Sequence, residues 1–346
     1  MTDEPLDLET LRQLYTGASG SDIRDPHFRE AAGQQYKGDK RTWPFAGVPT
    51  LLDAPFLADG LTPEALDTLD VALIGVPMDL GVTNRPGARF GPRALRAIER
   101  VGPYEHVLRV APKGKLKVAD VGDVSMSSRY DLAACHADIE ACYRMIAGTK
   151  AIPLSVGGDH SITLPIMKGL AEKHGPVGMV HIDAHCDTGG TTEGSKFHHG
   201  APFREAVLEG VLDPRRSIQI GIRGASECLW EFSYLSGMTV IHAEEVDAMG
   251  IAAVVAKMRE VIGDGPTYIT FDVDGLDPAF APGTGTPEVG GLTTLQAQQI
   301  LRGLAGANII GGDVVEVAPE YDPSHNTAHA GAQMLFTMLS LLAVNK

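Results

Sequence analysis

Eight short apolar runs, rich in β-branched residues, recur from about residue 68 onward, with segments of helical length between most of them. The runs are VALIGVP (71–77), KVADVGD (117–123), AIPLSVGG (151–158), VGMVHID (177–183), SIQIGIR (217–223), TVIHA (239–243), TYITFDVD (267–274) and IIGGDVVEV (309–317). Amphipathic stretches such as LAACHADIEACYRMIAG separate them. This alternation predicts an α/β fold, with one eight-stranded, mostly parallel sheet between two layers of helices.

The first 65 residues differ from the rest of the chain. They are polar and rich in Gly, Pro and Asp, and they have too few apolar residues for a core of their own. A helix is expected over Leu6–Tyr15. We therefore expect residues 1–65 to form an N-terminal extension that packs on the core or on a neighbouring subunit, and residues 66–346 to form one large domain.

Composition excludes several classes of protein. A net charge of −15 over 346 residues disfavours binding to nucleic acid or to an anionic membrane. No run of 18 or more apolar residues occurs, so no membrane span is expected. The four cysteines form no CxxC pair and the acidic N-terminus resembles no signal peptide, which favours a cytoplasmic protein. The glycine patterns of dinucleotide and P-loop sites are absent after the first run.

Ionisable residues follow four of the runs, where buried strands are expected to end. They are Asp159 and His160 in GGDHS, Asp183, His185 and Asp187 in HIDAHCD, Asp272, Asp274 and Asp277 in FDVDGLDP, and Glu316. Carboxyl ends of parallel strands meet at one edge of a sheet, where ligands bind. Side chains two residues apart on a strand point the same way, so Asp183 and His185 can converge, as can Asp272 and Asp274.

Carboxylates packed this closely repel one another, and each needs a proton or a cation. Two divalent cations would neutralise four carboxylates. Two histidines with four aspartates suit octahedral Mn²⁺ or Ni²⁺, and the set lacks the thiolates of a structural zinc site. Each motif alone is also typical of a cap or a turn. Their recurrence at three strand ends favours a metal centre.

GGDHS, HIDAHCD and FDVDGLDP together resemble the signature of the ureohydrolases, the family of arginase and agmatinase. The resemblance covers roughly residues 68–343 and includes GARFGPRALR (87–96), FHHGAPF (197–203), APGTGTPEVGGLT (281–293) and VVEVAPEYD (314–322). It implies an arginase-like α/β/α domain around an eight-stranded parallel sheet. It also implies a catalytic domain over residues 66–346 that hydrolyses a guanidinium group to urea and an amine, with two Mn²⁺ or, in some members, Ni²⁺.

The resemblance also implies roles for individual residues. One metal would be held by His160, Asp183, Asp187 and Asp272, and the other by Asp183, His185, Asp272 and Asp274, so that Asp183 and Asp272 bridge. Asp187 would hold the attacking water by a hydrogen bond, and Glu316 would pair with the substrate guanidinium, by one or two hydrogen bonds. The proton-shuttling histidine of the family directly precedes a glycine, which here selects His199 before Gly200. His198 would then face the loop or the pocket wall.

The substrate is expected to be a small cationic or neutral guanidino compound. TGTPE with Glu288 and the HHGAPF context resemble agmatinases and guanidino-acid hydrolases more than arginases. The loop TGGTTEGSKFHH should line the mouth of the site, which makes Glu193, Ser195 and His198 candidate substrate contacts. Glu288 of TGTPE is a further candidate. The resemblance suggests agmatine, guanidine or a substituted biguanide such as metformin. The alternative is a guanidino-acid hydrolase such as a guanidinobutyrase.

Other readings of the whole chain stay open. They are a single-zinc deacetylase of related fold and a non-catalytic partner subunit of a mixed oligomer. The complete ligand set favours an active enzyme, expected as a homo-oligomer, either a trimer or a hexamer.

Residues near the site also have ordinary structural readings. We expect His181 to be a hydrogen-bonded core histidine and Cys186 to be a packing residue. Asp159 and Asp277 should orient loops, while Arg89 and Arg93 should hold structure or an interface. His325 and His329 are expected at the site mouth or on the surface.

Overall fold

The computed structural model describes residues 5–19, 22–33, 36–37, 40–41, 43, 45–99, 101–225 and 227–346. Its strands are β1 (Tyr36–Lys37), β2 (Lys40–Arg41), β3 (Val71–Val76), β4 (Val118–Asp123), β5 (Ile152–Gly157), β6 (Val177–Ile182), β7 (Leu212–Ile222), β8 (Thr239–His242), β9 (Thr267–Asp272) and β10 (Ile309–Val315). Its α-helices are α1 (Leu8–Tyr15), α2 (Pro26–Gly33), α3 (Pro63–Leu66), α4 (Gly91–Arg96), α5 (Pro112–Lys115), α6 (Leu132–Ala147), α7 (Thr163–His174), α8 (Pro202–Leu208), α9 (Glu231–Ser236), α10 (Ala243–Met249), α11 (Ile251–Ile262), α12 (Thr294–Arg302) and α13 (Asn326–Asn345).

Eight strands form one sheet in the order β4-β3-β5-β10-β9-β6-β7-β8, and every neighbouring pair in it is parallel. Each of the eight apolar runs supplies one of these strands, so the fold predicted from their alternation is confirmed. The strands read as continuous apolar runs because helices cover both faces of the sheet. The short β1–β2 pair is antiparallel and separate from the main sheet.

Two apolar cores fill the space between the sheet and its helices. On one face, α6, α7 and α8 bury Ile139, Leu164 and Phe203 against the strands. On the other face, α11, α12 and α13 contribute Met258 and Ile300, among others, to the larger core. The sheet is therefore the middle of three layers, which keeps the strand backbones rigid and leaves their carboxyl ends to carry loops.

The last helix and the N-terminal extension differ sharply in burial. Among the described residues, α13 alone is long and apolar enough to cross a membrane, and 83% of its most apolar window is buried inside the protein, as in a core helix. In contrast, α1 buries no residue. Nearer the domain, Leu51 and Leu52 already pack into the core. The extension thus contacts the domain at residues 51–52, while α1 has no buried side chain.

Candidate active site

The predicted site residues follow four neighbouring strands in the middle of the sheet. β5, β10, β9 and β6 are consecutive in the sheet order. Their carboxyl ends lead to His160, Glu316, Asp272 and Asp183, respectively. A short 3-10 helix follows each of two of these strands: His160–Ile162 after β5 and Val273–Gly275 after β9. These turns fix the backbone that carries the ligands. The fold therefore gathers groups that lie far apart in sequence.

Three carboxylates surround one nitrogen of His160. Its Nδ1 atom lies 3.0 Å from Asp183 Oδ2, 3.0 Å from Asp187 Oδ2 and 3.2 Å from Asp272 Oδ2. The opposite ring nitrogen, Nε2, is 2.8 Å from Thr270 Oγ1. Three anionic oxygens around one imidazole nitrogen form a donor set that suits a hard to borderline divalent cation.

A second group of ligands lies around His185. Its Nδ1 atom is 3.2 Å from Asp274 Oδ2 and 3.4 Å from Asp183 Oδ1. Ligand atoms of these three residues all lie within 4.8 Å of one another. Asp183 therefore presents Oδ2 to the first group and Oδ1 to the second. Asp272 Oδ2 faces the first group, while its Oδ1 accepts a hydrogen bond of 2.8 Å from Asp274 N.

The pKa shifts of the aspartates show that these clustered carboxylates need positive charge nearby. Burial, followed by the charges of Asp274 and Asp183, raises the pKa of Asp272 well above its usual range. Burial and the Asp183 charge raise the pKa of Asp274 to about 6. Burial would also raise the pKa of Asp183, but hydrogen bonds from His160, His181 and His185 hold it well below its usual value. The residues fit a pair of divalent cations, which would replace the protons that the carboxylates otherwise require.

His181 is a supporting residue and not an open ligand. Its Nδ1 atom accepts a hydrogen bond of 3.0 Å from the Gln219 side-chain amide, so the ring carries its proton on Nε2. Nε2 then donates to Asp183 Oδ2 at 2.7 Å. This agrees with the expected hydrogen-bonded core histidine, and it orients the shared carboxylate in the way that outer partners of metal ligands do.

Glu316 has one engaged carboxylate oxygen and one free one. Its Oε1 accepts hydrogen bonds of 2.9 Å from His160 N and 2.9 Å from His199 Nδ1. Its Oε2 is buried and has no hydrogen-bond partner among the described residues. The backbone of Glu316 has a φ of 65°, a left-handed conformation that Asp187 shares with a φ of 53°. Oε2 is therefore the oxygen of Glu316 that is open to a further hydrogen-bond donor.

His199 is buried between Glu316 and a loop that follows β3. Its Nε2 atom lies 2.6 Å from Thr83 Oγ1, and its backbone N–H donates to Gly81 O at 2.9 Å. Burial acts to lower the pKa of His199, but the charge and hydrogen bond of Glu316 raise it to about 9. Thr83 N donates to His199 Nε2 at 3.1 Å, so the two ring nitrogens are held between a loop and the Glu316 carboxylate, and the raised pKa favours a ring that can carry and release a proton.

The loop after Asp187 turns back on itself. Thr192 and Ser195 exchange two backbone hydrogen bonds of 2.9 Å, which places Glu193 and Gly194 at the exposed tip of a tight turn. Ser195 Oγ accepts from Phe197 N at 3.1 Å. His198 Nε2 donates to Gly190 O at 2.9 Å, so its ring faces the loop as expected. None of these contacts joins Glu193 or Ser195 to the residues around His160 and His185.

Glu288 lies nearer to the ligand groups than the loop residues do. Its Oε1 atom is 4.0 Å from His185 Nε2, on a side chain that is one-third exposed. The segment that carries it is fixed by Arg223, whose buried guanidinium donates to Glu288 O at 2.6 Å and to Asp274 O at 2.7 Å. A carboxylate thus stands beside the second ligand group at the solvent side.

Several residues of the site carried no signal in the sequence. Thr83 and Gly81 belong to a glycine-containing loop, and Gly81 N donates to Asp159 Oδ2 at 2.7 Å. Thr270 and Gln219 occupy strand interiors, where a single sequence gives no sign that they contact ligands. Arg223 directly follows β7, and the sequence does not show that its guanidinium is buried. Only the contacts in three dimensions reveal these residues.

The remaining candidate residues lie where structural roles apply. Asp277 accepts backbone hydrogen bonds from Ala279, Gly290 and Gly291 and so holds a turn. Cys186 is buried. Arg89 forms an ion pair with buried Asp79. Arg93, His325 and His329 are exposed, with His325 at the start of α13.

Comparison with known proteins identifies the family. The model of the arginase family matches residues 69–340. Mitochondrial agmatinase of Gallus gallus is 51% identical over 277 residues, covering 79% of this chain and 81% of that protein. Guanidinopropionase of Pseudomonas aeruginosa is 50% identical over 303 residues, covering 86% of this chain and 93% of that protein. Proclavaminate amidino hydrolase from Streptomyces clavuligerus superposes with a TM-score of 0.81 at 32% identity, over 88% of this chain and all of that one. The chain belongs to the arginase family of metal-dependent amidinohydrolases.

Proposed function

We propose that this protein hydrolyses a small guanidino compound to urea and an amine at two divalent cations, Mn²⁺ or Ni²⁺. The ligands of one cation are His160, Asp183, Asp187 and Asp272, and those of the other are Asp183, His185, Asp272 and Asp274. The observation that carries the proposal is the position of Asp183, which presents one oxygen to each of two histidine-centred groups. When bound, the cations supply Lewis-acid activation of water, since a guanidinium carbon is a poor electrophile.

The residues of the chain hold the substrate and move the proton. Glu316 Oε2 is buried without a partner, so it is placed to accept a hydrogen bond from the guanidinium. His199 Nδ1–H donates to Oε1 of the same carboxylate, which places the acid beside the oxygen that binds the guanidinium. Asp187 accepts a hydrogen bond from the attacking water. Substrate, acid and water are thereby arranged around one buried carboxylate and its neighbours.

The charges at the mouth favour a cationic or compact substrate such as agmatine, guanidine or metformin. Glu288 places a carboxylate beside His185. This charge would repel a carboxylate on the substrate. Lys196, the one lysine in the loop TGGTTEGSKFHH, is paired with Glu209 at 2.9 Å and Glu205 at 3.5 Å. It is therefore already neutralised and is a poor partner for a substrate carboxylate.

A guanidino acid is the second candidate substrate, and one observation favours it. Arg204 Nε is buried without a hydrogen-bond partner among the described residues, and Arg204 Nη1 lies against Gly190 in the loop that follows Asp187. Its guanidinium also stacks 5.0 Å from the Phe232 ring. If the loop admits the substrate carboxylate to this side, Arg204 supplies the charge that Lys196 does not.

Product release from a panel of guanidino compounds tests the proposal, with Mn²⁺ and Ni²⁺ compared. Urea is measured for agmatine, guanidine and the guanidino acids. Dimethylamine is measured for metformin, because loss of this amine leaves guanylurea. Agmatine, guanidine or metformin should give a higher kcat/KM than 4-guanidinobutyrate or 3-guanidinopropionate. Glu288→Gln should narrow that difference, and Arg204→Gln should leave it unchanged. If a guanidino acid is preferred and Arg204→Gln abolishes the preference, the second candidate is correct.

Metal analysis and activity assays of the purified chain separate the proposed enzyme from the two other classes, a single-zinc deacetylase and a non-catalytic partner subunit. About two metals per chain in elemental analysis exclude a single-zinc deacetylase. Product release by the isolated chain excludes a non-catalytic partner subunit. No urea and no amine from any compound with either metal would refute the proposed reaction. Glu316→Gln is the matched variant for the reaction, because it keeps the side-chain shape and removes the charge that binds the guanidinium. It should bind both metals and lose most of the activity.

A further inference from the structure

A buried cation holds the backbone of the segment that carries Glu288. Arg223 is only 4% exposed. Its acceptors belong to the end of β7, to the turn after β9 and to residues 288–289. They are the backbone carbonyl oxygens of Gly221, Asp274, Gly275, Leu276, Glu288 and Val289. A buried charge is costly unless its donors find acceptors, so these contacts fix the three segments relative to one another.

The segment 288–291 is held from a second side as well. Asp277 Oδ2 accepts hydrogen bonds of 2.8 Å from Gly290 N and 3.2 Å from Gly291 N. Arg223 thus holds carbonyl groups of the segment, and Asp277 holds its N–H groups. Gly291 leaves the room that this arrangement needs, because a Cβ there would lie 2.5 Å from Arg223 Nη2. The backbone that carries Glu288 is therefore anchored by two side chains.

The carboxylate of Glu288 depends on this backbone for its position. No described residue donates a hydrogen bond to its oxygens, and His185 Nε2 lies 4.0 Å from Oε1. The carboxylate lies against Gly224, where a Cβ would be only 2.8 Å from Glu288 Cδ. Gly224 also has a φ of 85°, which side chains with a Cβ rarely adopt. The anchored backbone and the bare surface of Gly224 together place the carboxylate beside the second ligand group.

We propose that Arg223 is a positioning residue for substrate selection. By fixing the backbone of Glu288, Arg223 keeps the carboxylate where it accepts a hydrogen bond from a cationic group at the far end of a linear substrate. The substrate class is an alkylguanidine with a terminal ammonium group. A carboxylate that is already in place binds the ammonium without first losing conformational freedom. The inference rests on the proposed function, because it assigns the space beside His185 to the substrate tail.

Two substrates of equal length isolate the tail contact. Agmatine ends in an ammonium group, and n-pentylguanidine has a methyl group in its place, so both release urea and they differ only at the tail. The Mn²⁺-loaded wild type should favour agmatine in kcat/KM by about 10–100-fold, as expected for a hydrogen bond to a charged group. A wild type that hydrolyses agmatine no better than n-pentylguanidine would overturn the proposal.

Arg223→Lys keeps the charge but has three donors on a single atom, which cannot reach all six carbonyl oxygens. The agmatine preference should fall by about 10-fold, through a higher KM for agmatine. Loosening of the Asp274 backbone would lower activity on both substrates alike, so the ratio reports the tail contact. In a Glu288→Gln background, Arg223→Lys should leave the ratio unchanged. An unchanged ratio in Arg223→Lys alone, or losses that simply add, would mean that Arg223 does not position Glu288.

Gly224→Ala tests the position of the carboxylate even if Arg223→Lys does not fold. The added Cβ displaces Glu288, so the agmatine preference should again fall by about 10-fold. Gly210→Ala is the matched control, because Gly210 has a φ of 74° and a Cβ there meets no atom within 4 Å. It imposes a similar backbone strain without the clash and should leave the preference unchanged. Equal preferences in the two variants would contradict the proposed position of Glu288.

Hydrogen exchange of the full chain, measured by mass spectrometry, reports the anchoring without any turnover. Peptides that cover residues 288–291 should exchange faster in Arg223→Lys than in the wild type, because the segment opens more often. Equal exchange rates would show that Arg223 does not anchor the segment. A wild type that releases no product from any guanidino compound refutes the proposed function instead, so the two failures are distinct.

Discussion

Two adjacent histidines have opposite surroundings, and their substitution should separate catalysis from substrate selection. His199 bonds Glu316, whereas His198 bonds a loop carbonyl. His199→Asn should lower kcat by about 10²–10⁴-fold with both metals bound, because a positioned acid contributes that much. His198→Asn should mainly change KM or substrate preference. Steady-state kinetics with metal analysis measures both, and a larger fall of kcat in His198→Asn would reverse the assignment.

His136 should make the protein sensitive to acid. Its ring packs 4.5 Å from the Phe197 ring, and burial, with the charges of Lys168 and Lys196, lowers its pKa to about 4. The folded pKa lies below the ordinary value, so as pH falls the unfolded chain takes up the proton first. The stabilising contribution is complete above about pH 6.5 and is lost progressively toward pH 4, at roughly 1.4 kcal/mol per pH unit.

The comparison variant for this effect is His136→Gln, which does not titrate in that range. The difference in Tm between the wild type and His136→Gln should shrink as the pH falls from 6.5 to 4. Differential scanning calorimetry at fixed metal concentration measures it. Parallel Tm curves for the two proteins across this range would show that His136 does not carry the effect.

At the scale of elements, the end of β9 supplies the most informative ligand. Asp272→Ala removes a carboxylate that faces His160 and leaves the cations with less compensating charge. Loss of a direct ligand should cost far more than the roughly 10–100-fold of an outer partner, with a matching loss of activity. Asp277→Ala, in the turn just beyond, is the control and should keep both metals. Two tightly bound metals and near-normal turnover in Asp272→Ala would contradict the ligand assignment.

The strands could be predicted from the sequence, but their order in the sheet could not. Apolar runs mark buried strands because both faces of the sheet are covered, and all eight runs became strands. The neighbours β5 and β10 join segments about 150 residues apart, as in the pairing of Val156 with Val314. Nothing local in either segment specifies that pairing, because it depends on how the helices pack.

Some residues of the site could be predicted from the sequence and others could not. The sequence predicts His160, Asp183, His185, Asp187, Asp272 and Asp274 as ligands because such motifs recur at three strand ends and resemble those of the ureohydrolases. The structure brings them together with Glu316 and His199. Thr83 and Thr270 could not be found, since a hydroxyl residue in a loop or a strand has no distinguishing pattern. Glu193 stays a predicted substrate contact, and the turn formed by Thr192 and Ser195 places it at an exposed tip, which composition does not specify.

For the whole molecule, exposed apolar side chains of the N-terminal extension are the basis for a prediction of assembly. Leu8, Phe45 and Val48 are 62%, 73% and 83% exposed, and α1 buries no residue. Exposed apolar side chains on a segment of this kind favour contact with a neighbouring surface. We expect a homo-oligomer, a hexamer, with a mixed oligomer as the alternative. Sedimentation velocity at micromolar concentration should show it, and deletion of residues 1–48 should weaken it. A monomeric wild type would refute this expectation.

The left-handed backbones of Asp187 and Glu316 have a consequence for how this enzyme responds to selection. Side chains with a Cβ avoid this conformation at a cost of roughly 1–2 kcal/mol each, whereas glycine adopts it freely. Glycine at either position would relax the backbone and remove a group that the chemistry needs. Laboratory evolution of this chain for heat resistance alone would therefore favour the loss of its activity, so each round requires a simultaneous screen for turnover.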